Sequence, residues 1–581
     1  MKIDIPKIHQ DFFDAGGNPD AKRRGTRGRK NIGETVGIIL ALLFSFFLMF
    51  YTFSYSSSTQ EIRVATKLWS DFGAHIPLIR SFSYGQNYTR LMSGQAIESP
   101  LFPGEPIRYH FGFYALVGLL ERLGMRIDWA VNIPSALGFS ALLILLYAVS
   151  FQLFANTRIS WLTIIFFLFN GSLSGMQFLR DHPLSRTTAL DIITNAKFPA
   201  FGPWDGGNIS AFWTLNIYTN QRHLGLSYAL LLAILLLLLK PIKKTWHIGF
   251  LIGGLESVLL FVNFAAAGIS LLFLGWIFLI QKKSRMSLII SAIVALPAFF
   301  LVRHMSNTAS TIVWQPGYLM RGTENISSFI RFWFANLGLH TFLIPLGVLS
   351  SPKAVRRLFA VPLMLLFLLP NLLRFSPDMI NNHKFFNFFL IIGNMFSAFA
   401  LIGILKLYNA VKQPLWRNVL QCISGAVLIT MLIGSGIIDF FPIINDTKGL
   451  VADIRANPDV QFIAKHTNPE DIIANSTWFY HPASIAGRPI LSGYTYFTWS
   501  YGYDQAPREA ILTSIYQADS VPSLCMIAQT NSVAFVELNE QPETYLRPNW
   551  ALWQSIIPVY ENPISHLTLY SIADTCPEAG P

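Results

Sequence analysis

The sequence predicts a mainly α-helical, polytopic membrane protein with about eleven transmembrane helices, outer-face interfacial helices and a small C-terminal extracytoplasmic α/β domain. Hydrophobic residues make up 52% of the 581 and charged residues only 13%, which is far more apolar than a soluble chain of this length requires. Apolar runs recur at lengths near the roughly 20 residues that cross a bilayer core. Basic residues gather in short connections between those runs. Aromatic residues are abundant, with 48 Phe, 20 Tyr and 14 Trp, as suits lipid-facing helices with interfacial belts.

The runs lie near residues 36–54, 131–154, 159–178, 224–240, 247–262, 264–280, 286–302, 329–350, 357–373, 385–405 and 418–438. Residues 1–34 read as a basic cytoplasmic tail ending in an uncleaved anchor, since Lys22, Arg23, Arg24, Arg27, Arg29 and Lys30 precede the first run. Counting from there, four connections fall inside: those holding Lys240, Lys243 and Lys244; Lys282, Lys283 and Arg285; Lys353, Arg356 and Arg357; and Lys406, Lys412 and Arg417. The net charge of +11 is therefore a sidedness signal, and a nucleic-acid partner is excluded.

The stretch Tyr109 to Leu120 tests this parity. It is short and flanked by His110, Glu121, Arg122 and Arg126, so it reads as an interfacial helix on the outer face and not as a crossing. An odd number of spans then exports the C-terminus. Residues 35–441 form the membrane domain, with a first outer loop at 55–130, and residues 442–581 an exported α/β domain with strand-like runs such as Val533 to Leu538. Cys525 and Cys576 fall in that region, where one bridge can form, and Cys422 falls in a span. The longer connections, 55–130, 179–223, 303–328 and 374–384, all lie outside, where function concentrates on a rigid scaffold.

Chemistry is expected in those outer loops. Trp69-Ser70-Asp71-Phe72-Gly73-Ala74-His75-Ile76-Pro77 places an acid just beyond the first span, on an expected interfacial helix from Phe72 to Tyr84, with His75 on the same helical face as Asp71. A carboxylate there can serve as a general base, and cations at the same membrane depth can hold a departing phosphate. Arg108 and His110 open the second interfacial helix. Gln221, Arg222 and His223 end the outer loop before the fourth span, and His383 and Lys384 lie in the polar run Asn381 to Asn387 that opens the tenth. The bland reading of each cation is a side chain snorkelling to water.

The order of one span, an outer loop with an early acid, an interfacial helix, the Pro-rich stretch Glu98 to Pro106, a second interfacial helix opening Ile107-Arg108-Tyr109-His110-Phe111, and only then a second span resembles the C-type glycosyltransferase superfamily. Within it, the layout is similar to the bacterial protein O-mannosyltransferases and aminoarabinose transferases, most clearly over residues 36–180. Those families often carry a paired acid where this chain has Ser70-Asp71. The resemblance implies a polyprenyl-phosphate-linked sugar as donor, inversion at the anomeric carbon, a plasma-membrane enzyme, and a glycan, lipid or protein acceptor. Asp71 is the expected base and Glu105 a second candidate. Arg108, Arg222 and Lys384 are the expected phosphate contacts, with His75, His110, His223 and His383 in support.

Two other readings compete. Asp71, His75 and His110 have the donor types of a metal site, although no hydrolase signature accompanies them and no cofactor is expected. A transporter or flippase of lipid-linked glycan would fit the span count, yet Glu256 is one of very few ionisable residues near a span centre, and Asn263 marks a break between spans. The run Gly493 to Asp504 holds six rings that either stack on sugars or pack the exported region on the membrane domain.

Overall fold

The computed structural model describes residues 27–201, 210–239, 245–307, 312–320, 325–409, 415–475, 479–539 and 546–576. Lys22, Arg23, Arg24, Lys240, Lys243, Lys244 and Lys412 lie outside the described residues, as do the side chains of Arg27, Arg29, Lys30 and Arg417.

The chain is mainly helical, with small sheets. In order come α1 (Arg27–Thr52), β1 (Phe53–Ser56), β2 (Glu61–Ala65), α2 (Trp69–Ser83), α3 (Gly112–Arg122), α4 (Ile127–Phe154), α5 (Thr157–Leu168), α6 (His223–Leu239), α7 (Thr245–Val262), α8 (Phe264–Ile280), α9 (Arg285–Met305), α10 (Ile326–Leu337), α11 (His340–Ser350), α12 (Lys353–Leu372), α13 (His383–Asn409) and α14 (Leu415–Ile444). Then follow β3 (Lys448–Val451), β4 (Ile472–Ala474), β5 (Val533–Asn539), β6 (Tyr560–Asn562) and β7 (Leu567–Ser571), with short helices between them.

Seven described helical stretches, built on α1, α4, α7, α9, α12, α13 and α14, are long and apolar enough to cross a membrane. The expected run 329–350 is not one straight helix: α10 and α11 meet at 88°, with Gly338 at the corner in the left-handed region, φ +53. The run 159–178 is also broken. The 12 residues of α5 reach only about 18 Å, short of a bilayer core of about 30 Å, because Phe169 to Leu173 leave the helix. Asn263 ends α7 and caps α8, its Oδ1 accepting from the Ala266 N–H at 3.0 Å. The 11 residues of α3 span about 16 Å and do not reach across a bilayer.

The long helices share one apolar core, built from residues such as Phe139, Leu232, Ile269, Leu366 and Ile391. A second core joins the connection between α1 and α4 to the C-terminal region: Phe72, Ile79 and Phe111 pack with Val451, Ile473 and Ile490. β3 completes an antiparallel sheet in the order β1-β2-β3, with Ile62 opposite Val451 and Val64 opposite Gly449. Farther along, a four-stranded mixed sheet runs β6-β7-β5-β4 with β4 and β5 parallel, and Cys525 and Cys576 are bridged near it. The expected strand at Val533 to Leu538 is β5.

Candidate functional site

The site is built on α2, and several anchors fix that helix. Asp446 accepts hydrogen bonds from the Thr66 hydroxyl at 2.6 Å and the Lys67 N–H at 2.8 Å, and pairs with the Lys67 ammonium at 2.9 Å, just before α2 begins. The Trp69 carbonyl accepts from the Tyr480 hydroxyl at 2.6 Å. At the far end Arg80, 1% exposed, faces two buried carboxylates, Asp453 at 2.6 Å and Glu121 of α3 at 3.3 Å. Gly118 lets α3 approach, since a Cβ there would lie 2.5 Å from that of Phe82. The helix expected to lie at the interface is thus walled in, with every residue from Phe72 to Ser83 buried.

Asp71 sits in the first turn of α2, half-buried. Its carboxylate accepts no hydrogen bond from the described residues. Burial pushes its carboxyl up from 3.8 to about 6, and the Lys384 charge offsets part of that rise. Five phenols crowd the same space: Tyr109, Tyr114, Tyr480, Tyr496 and Tyr501 all feel the Asp71 charge. Burial, added to that charge, pushes Tyr480 and Tyr501 up, so both stay protonated as donors. Lys384, 6% exposed, lies at the start of α13 with its ammonium 5.9 Å from the centre of the Tyr109 ring.

Behind Asp71 stands a group of histidines. His75 turns to Tyr114, with ring centres 4.8 Å apart. Burial and the Arg222 and Lys384 cations push its imidazole down to about 3. His110 and His223 meet through their Nε2 atoms at 2.8 Å, and the Tyr114 hydroxyl lies 3.1 Å from the His223 Nδ1. One proton must occupy each of these contacts, so the tautomers of the two imidazoles are linked. His383 lies between the Gln221 and Asn387 amides, at 3.2 and 2.9 Å. A neutral imidazole offers one donor and one acceptor, so one of those amides presents its oxygen. Among the described residues no group of three or more His, Cys, Asp or Glu is arranged to hold a metal. The Nε2 contact of His110 is directed at His223, not at a point shared with Asp71 and His75.

The structure departs from the expected site at three residues. Arg222 does not reach outward: it is 1% exposed, and its guanidinium donates to the Met49 carbonyl at 3.3 Å, the Thr52 hydroxyl at 2.8 Å and the Asn132 Oδ1 at 3.2 Å. It ties the end of α1 to α4 and is already committed as a donor. Glu105 and Arg108 pair with each other at 3.6 Å. Arg108 also donates to the Gly502 carbonyl and lies 4.6 Å from the centre of the Tyr503 ring, so it holds the C-terminal region against the loop that follows β2.

One participant was not singled out by the sequence reading. Asp378, 7% exposed, accepts from the Tyr496 hydroxyl at 2.8 Å and from the Ile380 N–H at 3.0 Å, and its charge reaches Lys384. Its signal was proximity: it stands six positions before Lys384 in the same outer connection. The ring-rich run packs on the membrane domain, as its plainer reading holds. Tyr501 lies 4.8 Å from Tyr109 between ring centres, and Tyr503 donates to the Pro106 carbonyl at 2.8 Å. Through Tyr496 and Tyr501 it also walls the site.

Among solved structures, similarity at low identity is found to an archaeal oligosaccharyltransferase. The chain resembles oligosaccharyltransferases. The Archaeoglobus fulgidus oligosaccharyltransferase tethered to an acceptor peptide containing the NVT sequon is 10% identical, with 88% of this chain and 69% of that chain covered and a TM-score of 0.46. The oligosaccharyltransferase AglB of the same organism, in complex with an inhibitory peptide and a dolichol-phosphate, is 13% identical, with 88% and 70% covered and a TM-score of 0.40. The apo form is 12% identical at the same coverage and TM-score. No protein-family model and no curated protein matches the sequence.

Proposed function

We propose that the chain is a membrane glycosyltransferase that moves a sugar from a polyprenyl-phosphate donor to an acceptor on the outer face of the membrane. The observation that carries this reading is the placement of an unbonded, half-buried carboxylate, Asp71, beside a buried ammonium, Lys384, at the outer end of a span. Asp71 takes the proton of an acceptor hydroxyl. The acceptor oxygen attacks the anomeric carbon, the bond from that carbon to the phosphate oxygen breaks, and the phosphate leaves with the electron pair and is held by Lys384. A single displacement of this kind inverts the anomeric centre.

Sidedness supports the assignment. Trp276 Nε1 donates to the Arg357 carbonyl at 3.0 Å, which brings the basic connection after α8 and the one before α12 to one end of the bundle, whereas α13 starts at the site and carries Lys406 in its last turn. On the positive-inside rule that basic end is cytoplasmic and Asp71 is outside. A cytoplasmic N-terminus and an exported C-terminal region belong to this proposal, and the bridge between Cys525 and Cys576 agrees with an oxidising compartment. A transporter would draw on ionisable groups inside the spans, but Glu256 accepts a hydrogen bond from Ser270 of the next helix and Asn263 serves as a cap.

The acceptor is a glycan, a lipid or a protein hydroxyl. Transfer assayed in membranes with the Asp71→Asn variant tests the assignment. Loss of roughly 10²- to 10⁴-fold in turnover is expected for removal of a general base, with insertion and expression unchanged, and full activity would overturn it.

A further inference from the structure

We propose that Asp439 and the broken stretch of chain packed against it form a binding site for a sodium ion, independent of the transfer chemistry at Asp71. Asp439 lies on α14, five residues before that helix ends, and is 0% exposed. The chain from Phe169 to Gly175, where the helical run after α5 is interrupted, crosses the face of α14 that carries Leu432, Ser435, Gly436 and Asp439. Gly171 packs its backbone on Leu432, and a Cβ on Gly436 would lie 2.6 Å from the Asn170 nitrogen. The Gly175 N–H donates to the Ser435 hydroxyl at 3.0 Å. One turn along, the Ser174 hydroxyl donates to Asp439 Oδ2 at 3.4 Å.

The hydrogen bonds around Asp439 leave oxygens in excess. Ser172 Oγ accepts from the Ser174 N–H at 3.2 Å and lies 2.8 Å from Ser174 Oγ. Among the described residues the Ser172 proton has no other acceptor, so Ser172 donates to Ser174 and Ser174 to the carboxylate. Asp439 Oδ1 is buried with no hydrogen-bond partner among the described residues, so a proton placed there would find no acceptor. Asn170, 5% exposed, adds a second buried oxygen, its Oδ1, that meets no donor among the described residues. A buried carboxylate without a counter-charge is costly, and among the described residues Asp439 pairs with no Lys, Arg or His. The atoms on offer are oxygens, as a hard cation requires, and one carboxylate balances one positive charge. The break in the span supports the same reading. α5 stops at Leu168 and leaves its last carbonyls without helical partners, and unwound carbonyls of this kind hold sodium within membrane helices.

Melting of the full-length protein in lipid nanodiscs, in sodium chloride or choline chloride at equal ionic strength, tests this without a sugar donor. Sodium is expected to raise the unfolding temperature along a saturable curve, as a ligand of the folded state does, and choline, too large for the site, is expected to leave it unchanged. Asp439→Asn should lose the sodium response and melt no lower than the parent does in choline, since the uncompensated charge is gone. Ser174→Ala, which keeps the carboxylate and removes one oxygen, should retain the response with its midpoint raised roughly five- to tenfold, and serves where Asp439→Asn fails to fold. Equal melting of the parent in the two salts, which a protonated Asp439 would give, overturns the proposal. A sodium response retained in Asp439→Asn, or a midpoint unmoved in Ser174→Ala, does the same.

Discussion

Arg80 and Asp453 meet at 2.6 Å with neither side chain more than 3% exposed, and Glu121 closes on the same guanidinium from 3.3 Å. This triad joins α2, α3 and the strand-rich C-terminal region beside the apolar core they share. Removing the cation would leave two carboxylates buried together without a counter-charge. Arg80→Met is therefore expected to destabilise the protein by about 3–5 kcal/mol, read as a lowered unfolding temperature in detergent. Asp453→Asn, which leaves Arg80 paired with Glu121, should cost less, and equal losses from the two variants would argue against a shared network.

Arg222 lies under the site, and its partners define a structural role. Its guanidinium satisfies the Met49 carbonyl, the Thr52 hydroxyl and the Asn132 amide oxygen. Arg222→Ala strands those acceptors and opens a void, so a loss of about 2–3 kcal/mol is expected, with an unchanged donor Michaelis constant in the protein that survives. Thermal unfolding and a donor titration check this. A raised constant with unaltered stability would return Arg222 to the phosphate.

The sequence reading drew its site residues from one end of the bundle. Basic connections place Asp71, His110, His223 and Lys384 at one end of the bundle, and the fold gathers them around the phenols near α2. What the sequence lacked was direction. An arginine before an apolar run snorkels outward or turns inward with the same neighbours in the chain, and Arg222 turns inward because unsatisfied oxygens on α1 and α4 await it. Glu105 and Arg108 stand three apart and neutralise one another, a local pairing that hydropathy does not reveal. Asp378 gained its meaning only from Tyr496, more than a hundred residues away in sequence. The span near 159–178 misled for a similar reason, since its interruption at Phe169 to Leu173 is set by contacts with α14: Gly171 packs its backbone against Leu432, and Ser435 donates to the Ser172 carbonyl.

The bridge between Cys525 and Cys576 closes a segment of the C-terminal region with a sequence separation of 51. A cross-link over such a length restricts the unfolded chain and is worth about 2–4 kcal/mol. The double serine variant is expected to lose protease resistance in this region before the membrane helices are affected. Limited proteolysis followed by mass mapping would show it, and a cleavage pattern identical to that of the parent would count against a stabilising role.

The elevated carboxyl of Asp71 makes two linked demands on pH. A base must be ionised to act, so kcat/KM is expected to fall on the acid side with a midpoint near the value of about 6 that burial imposes, and not near 3.8, where an exposed aspartate titrates. The sign for stability runs the other way. A carboxyl that holds its proton more tightly when folded contributes most below the unfolded value of 3.8, and that contribution is lost as pH rises through about 6. At pH 7 the native protein therefore carries a buried charge at a cost, and Asp71→Asn should unfold at an equal or higher temperature than the parent while losing activity. Below pH 4 both forms are neutral at this position and the difference should vanish. Melting curves at pH 7 and pH 4 decide it, and a variant less stable than the parent at pH 7 would mean that Asp71 supports the fold and not the chemistry.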